Sequence, residues 1–171
     1  VHTCWTLADA RAIAAHAKPG ARVLQLGAGF IGCIIMEALA RCGVQLTVVE
    51  MGDRMVPRMM PPRASEMIRA WCEREGVHVV TGARVAAIEQ AGSSLSVKLT
   101  DGQAWAADLV ISATGVTPNT AFLDGSGVAC DGGVLVDERM ESSVKGIFAA
   151  GDASRAPEFD TDRKIAYAIQ P

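Results

Sequence analysis

Aromatic side chains are scarce in this sequence, with three Trp, one Tyr and four Phe among 171 residues. A core built from it must close around aliphatic and small side chains, and 28 alanines and 17 glycines are at hand. Neither sign of charge dominates. Sixteen Lys and Arg against 19 Asp and Glu leave −3, and no basic surface is present to attract nucleic acid. Long hydrophobic runs are missing too: Leu26–Met36, the longest stretch free of charged or polar side chains, has eleven residues. About 20 are needed to cross a bilayer, so no membrane segment is expected. Val1-His2-Thr3 leads straight into a helical pattern, so no signal peptide is expected. A start on Val in place of Met predicts a piece of a longer chain. Cys4, Cys33, Cys42, Cys72 and Cys130 include no CxxC pair, and His2, His16 and His78 have no ligand-like spacing to them. Neither a metal site nor a thioredoxin-type dithiol is expected. Scattered through apolar stretches, the five cysteines read as buried, reduced thiols of a cytoplasmic protein.

What is there is a globular composition, half of it hydrophobic, in a length that permits one domain or one domain plus part of another. Thr6-Leu-Ala-Asp9 has the form of a capping box before an Ala-rich helix, which Lys18-Pro19-Gly20 ends. A short apolar strand over Arg22–Leu26 follows. The spacing predicts a helix from Phe30 to Arg41, a strand over Val44–Glu50, a Pro-containing loop from Met51 to Pro62, a helix over Ala64–Glu75 and a strand over Val77–Thr81. The pattern then changes to short segments, Arg84–Gln90, Leu95–Thr100 and Gln103–Ala106, punctuated by Ala91-Gly92-Ser93 and by Asp101-Gly102, an Asp-Gly hairpin signal. Asp108–Ala113 returns as a buried strand, and weaker strands are expected at Gly133–Val136 and Gly146–Ala150. The fold class is therefore α/β: a Rossmann-like parallel sheet in which a three-stranded antiparallel meander replaces one helical crossover.

The sharpest motif is Gly27-Ala-Gly29-Phe-Ile-Gly32, lying between a strand and a helix. In a dinucleotide fingerprint the first glycine permits the tight turn. The second lets backbone approach a pyrophosphate, and the third lets helix and strand pack closely. The helix N-terminus adds unpaired N–H groups and partial positive charge. Glu50 closes the second strand 18 residues after Gly32, where a ribose-binding carboxylate belongs. Three other readings remain open at this point. One is a structural βαβ turn without ligand, and a second is a non-catalytic NAD-binding or sensing module. The third is an S-adenosylmethionine methyltransferase, against which the third glycine and the meander both argue. The Arg54, Arg58 and Arg63 loop reads equally as a solvated surface, and the methionines at 51, 55, 59 and 60 read as packing beneath it.

Two later motifs, Ala113-Thr-Gly115-Val-Thr-Pro118-Asn119 and Gly146-Ile-Phe-Ala-Ala-Gly151-Asp152, follow in order. Together with the first, they resemble the pyridine nucleotide-disulfide oxidoreductase superfamily, in particular its single-flavin reductases: NADH-dependent ferredoxin and rubredoxin reductases, NADH oxidases and the flavin module of nitrite reductase. The resemblance runs from Thr6 to about Gln170. It implies a NAD-binding domain over residues 1–120 and, over 121–171, the incomplete start of a segment that returns to an FAD domain. It also implies that Gly27, Gly29, Phe30, Ile31 and Gly32 take the NAD pyrophosphate and that Glu50 takes the adenosine ribose. Arg58 would lie near the adenosine end, Gly115 near the nicotinamide half, and Asp152 against the ribityl chain of FAD. No catalytic acid–base pair is needed. NADH is the implied cofactor, FAD the cofactor of the parent protein, and ferredoxin or rubredoxin the kind of electron acceptor implied. One departure stands out: relatives read Gly-Leu-Glu after the third glycine, where this chain has Gly32-Cys33-Ile34.

Overall fold

The computed structural model describes residues 1–157 and the backbone of 164–165. In chain order the elements are α1 (Leu7–His16), β1 (Arg22–Leu26), α2 (Phe30–Arg41), β2 (Gln45–Val49), α3 (Pro62–Arg74) and β3 (His78–Val80). They continue with β4 (Val85–Ala91), β5 (Ser94–Leu99), β6 (Ala104–Ala107), β7 (Leu109–Ser112), β8 (Val134–Leu135), β9 (Ser154–Pro157) and β10 (Lys164–Ile165). Two compact units divide the chain, residues 1–115 and 116–171.

In the first unit four parallel strands pair in the order β3-β2-β1-β7, and β4-β5-β6 form a separate antiparallel sheet. The crossover from β3 to β7 is thus the meander that the sequence pattern predicts. The central strands are apolar on both faces, as a covered parallel sheet requires. Val23, Val48 and Ile111 pack with Ile13, Met36, Leu39 and Cys72 from the three helices. Leu24, Val49 and Val110 pack with Val97, Leu99 and Ala107 of the meander. Helices therefore cover one face and the small antiparallel sheet the other. The Thr6 hydroxyl accepts the Asp9 N–H at 3.1 Å while the Asp9 carboxylate accepts the Thr6 N–H at 2.9 Å, so the expected capping box forms. At the opposite end of the sheet from the glycine motif, Arg22 donates to Asp108 from its backbone N–H and its guanidinium. These hydrogen bonds hold the Asp108 carboxyl down at about 2.

Helix α3 begins at Pro62, two residues before the apolar spacing suggests, because Pro61 is extended and Pro62 fills the first turn, where no N–H is needed. The thiols are less buried than expected. Only Cys72 is fully inside, whereas Cys42, at the end of α2, and Cys130, in a loop, are exposed. Met55 packs as expected, with 1% of its surface exposed, but Met51, Met59 and Met60 remain exposed.

In the second unit β8 pairs with β9 in parallel and β9 with β10 antiparallel, over a small cluster of Val128, Val134 and Val136. The strand expected at Gly133–Val136 is β8. No strand forms over Gly146–Ala150. There Gly146 has φ +83°, its N–H is held by the Glu141 carboxylate, and Ile147 closes a turn onto the Val144 carbonyl. Ile147 and Phe148 stay exposed, Phe148 makes only an isolated bridge with Glu141, and the strand that pairs with β8 comes later, at β9.

Candidate functional site

The chain runs out of β1, turns through Gly27–Gly29 and enters α2, at the C-terminal edge of the parallel sheet. From β1 the sheet extends one way to β2 and the other way to β7, so this edge is the topological switch point where open α/β sheets bind ligands. Backbone hydrogen bonds gather the three strand ends there. Gly27 donates to the Val49 carbonyl and Ala113 to the Leu26 carbonyl, both at 2.8 Å.

Each glycine of the motif has a distinct physical reason. Gly27 has φ +94°, and a Cβ on it would run into the Ala113 carbonyl. A Cβ on Gly32 would lie 2.5 Å from the Gly27 carbonyl oxygen and 2.8 Å from the Gln25 amide nitrogen. A Cβ on Gly29 would meet nothing within 4 Å. That space lies at the N-cap of α2, where no side chain caps the helix and the first turn carries no acid. The N-terminal N–H groups of a 12-residue helix thus open onto a vacant approach.

Glu50 follows β2 directly and reaches back to the turn. Its carboxylate accepts the Ala28 N–H and the Gly52 N–H, each at 2.7 Å. A carboxylate offers about four lone-pair sites, so two remain for further donors. Ala28 is fully buried, and its carbonyl accepts the Val56 N–H at 2.8 Å. Val56 itself is 5% exposed with φ +48°, a conformation that costs a β-branched residue on the order of 1–3 kcal/mol. The β2–α3 loop is therefore pressed onto the glycine turn. Cys33 points its thiol toward the Ala28 carbonyl at 3.8 Å, and burial pushes that thiol up to about 11, leaving it an inert packing group.

The structure brings Gly27, Gly29, Phe30, Ile31, Gly32 and Glu50 together at one sheet edge. Gly115, exposed with φ +113°, lies just beyond the end of β7. Arg58 is exposed in the β2–α3 loop and makes no hydrogen bond or ion pair among the described residues. Arg54 is bound to Asp53 and to the Pro57 carbonyl. Phe30 and Ile34, one helical turn apart, are 43% and 59% exposed on α2. Asp152 belongs to the second unit, exposed in a short 3-10 turn over Gly151–Ala153. Among the described residues no group of three His, Cys, Asp or Glu is placed to hold a metal, and no helix is long and apolar enough to cross a membrane.

Two participants are not evident from motif reading. Gln25, fully buried at the end of β1, donates its side-chain amide to the Gly27 and Gly32 carbonyls at 2.9 and 3.1 Å. A lone polar residue inside an otherwise apolar strand is the signal that marks it. Val56 carries no sequence signal, because its role lies in its backbone N–H.

Comparison with known proteins agrees with this geometry. The chain is 34% identical over 157 residues to the biphenyl dioxygenase system ferredoxin–NAD(+) reductase component of Paraburkholderia xenovorans, a match covering 92% of the chain and 38% of the relative. It is 31% identical to the rubredoxin–NAD(+) reductase of Acinetobacter baylyi, over 90% of the chain and 40% of that protein. Among solved structures it is similar to the water-forming NADH oxidase of Lactobacillus brevis bound to NADH, with TM-score 0.87 and 28% identity over 98% of the chain and 37% of that structure. The chain thus spans about 40% of the length of these relatives. The family described as pyridine nucleotide-disulphide oxidoreductase matches residues 1–167. With that match over nearly the whole chain, and a glycine turn built as the family's motif requires, this protein belongs to the pyridine nucleotide-disulphide oxidoreductase family.

Proposed function

We propose that this chain is the NADH-binding part of an FAD-dependent oxidoreductase that sends electrons on to a small carrier protein of the ferredoxin or rubredoxin kind. The observation that carries the reading is the pairing of two features at one sheet edge. The uncapped α2 N-terminus opens at Gly29, and the Glu50 carboxylate sits within reach of the same turn with acceptor capacity to spare. The first suits a diphosphate, since backbone N–H groups and the helix dipole favour negative charge. The second suits two vicinal ribose hydroxyls, and it disfavours a 2′-phosphate. Phe30, Ile31 and Gly32 would hold the pyrophosphate through their backbone. Arg58 would flank the adenosine and Gly115 the nicotinamide half. Residues 1–120 would then form the NAD-binding domain, and 121–171 the start of the returning FAD-domain segment.

The described residues fit one dinucleotide well and a second one poorly. The α1 N-terminus is filled by its own Thr6–Asp9 box, and α3 opens on two prolines without a glycine turn. FAD, when bound, supplies the hydride acceptor; this chain contributes Asp152 toward its ribityl chain, and the flavin is gripped elsewhere in the enzyme. The ferredoxin and rubredoxin reductases among the relatives support a protein acceptor. Five free cysteines, two of them exposed, suit a reducing compartment, and we place the protein in the cytoplasm.

Thermal shift with NADH, FAD and S-adenosylmethionine added separately tests the reading, because a ligand of the folded state raises apparent stability. NADH is expected to raise the melting temperature and S-adenosylmethionine to leave it unchanged. A shift with S-adenosylmethionine alone would overturn the assignment.

A further inference from the structure

We propose that Gln25 is a positioning residue for the phosphate-binding turn, acting through the backbone carbonyls of Gly27 and Gly32. The inference rests on the reading of that turn as the NADH site. For the turn to present N–H groups outward, its peptide planes must aim carbonyls inward, where an apolar strand has nothing to donate. A buried carbonyl without a donor is costly and would favour flipping the peptide. Gln25 removes that incentive. It is 0% exposed, lies two residues before Gly27, and donates its side-chain amide to the Gly27 carbonyl of the turn at 2.9 Å and to the Gly32 carbonyl, in the first turn of α2, at 3.1 Å. Among the described residues the Gly27 carbonyl has no backbone donor. The amide oxygen of Gln25, by contrast, is buried without a partner, so the side chain is not there as a satisfied core group. Its useful end is the nitrogen, which faces the turn and the start of α2. Gly32 is required to be glycine partly because a Cβ would strike this same nitrogen. The amide and the third glycine therefore form one interlocked unit.

The test separates phosphate-dependent from phosphate-independent binding in the 171-residue chain. Gln25→Met keeps length and volume but removes both donors. We expect it to bind NADH about tenfold more weakly, near the upper end of what one net hydrogen bond contributes. Adenosine, which lacks the diphosphate, should bind the variant and the parent chain equally. An equal loss for both ligands would mean a general disturbance of the fold and would overturn the proposal, as would unchanged NADH affinity. A second measurement needs no substitution. The side-chain amide signals of Gln25 in a nitrogen-15 spectrum should be protected from solvent exchange, and should shift on adding NADH but not adenosine. If Gln25→Met does not fold, that spectrum decides, and an unshifted Gln25 signal at saturating NADH refutes the inference. Failure of the parent chain to bind NADH at all is a distinct result, which overturns the functional reading and this inference with it.

Discussion

Replacing Glu50 with Gln puts the reading of the carboxylate to a quantitative test. In the native chain both oxygens are committed to backbone donors, Ala28 and Gly52, each at 2.7 Å. An amide keeps one oxygen, so one of those N–H groups must face an NH2. The Ala28 N–H has no recourse to water, since the residue is fully buried. Losing a hydrogen bond to a charged acceptor costs about 1.5–3 kcal/mol, and that loss should appear in urea unfolding as a lower midpoint with unchanged slope. The effect on ligands has the same origin but a different size for each. NADH loses charged hydrogen bonds to its ribose, so its affinity should fall at least tenfold. NADPH loses those but also escapes repulsion between the carboxylate and its 2′-phosphate, so its affinity should change far less. A preference for NADH of roughly tenfold or more in the native chain, about 1.5–3 kcal/mol, should shrink to within about threefold in Glu50→Gln. Titrating both nucleotides into both proteins measures all four affinities. Equal affinities in the native chain, or an undiminished preference in the variant, would refute the role given to Glu50.

Other outcomes follow from the same geometry. Gly29→Ala should leave stability unchanged, because nothing lies within 4 Å of the added methyl group, yet abolish NADH binding measured by titration. Gly32→Ala should cost about 1–3 kcal/mol of stability through overpacking against the Gly27 carbonyl and the Gln25 amide. Because Asp108 is held at about 2, below its ordinary value near 3.9, its pairing with Arg22 stabilises the fold above about pH 4. That contribution is lost as pH falls toward 2, so the melting-temperature gap between the native chain and Asp108→Asn should narrow over that window. Finally, this chain should purify colourless, bind NADH and not oxidise it, since Asp152 alone offers FAD about 1.5–3 kcal/mol, weaker than millimolar affinity; a stoichiometric flavin absorbance band would refute this.

Periodicity and turn chemistry made most of the first unit legible. Strands rich in Val and Leu, helices bounded by a capping box and by glycine, and the Asp101-Gly102 hairpin signal lead directly to a parallel sheet with a meander crossover. The second unit was harder to read because its strands are two to four residues long, too short for alternation to register. Its run over Ile147–Ala150 is apolar yet makes only an isolated bridge, Phe148 to Glu141, after the left-handed Gly146 turns the chain back. At the site, the residues named by motif occupy one sheet edge, but the contacts that hold them there are backbone contacts. No spacing rule encodes the Val56 N–H or the positive φ behind it. Nor does the motif say that Glu50 accepts the Ala28 N–H.

The turn's inward-facing groups find protein partners without a ligand. Gly27 is tied to Val49 through its N–H and to Gln25 through its carbonyl, while Ala28 is tied to Glu50 and Val56. What is left facing outward is the first turn of α2. A diphosphate arriving there need not rearrange the backbone, so little of its binding free energy goes to ordering the loop. The opposing terms in the β2–α3 loop are similar in size. Strain at Val56 costs on the order of 1–3 kcal/mol, and burying the Met55 side chain contributes about 1.5–3 kcal/mol. The hydrogen bond from Val56 to Ala28 and the burial of Met55 both hold the loop against the turn. Substitutions that touch no ligand atom, at Gln25 or Met55, or Val56→Pro, which removes the Val56 N–H, should therefore weaken NADH binding through the shape of the turn, while those at Glu50 and Gly29 act on the ligand directly.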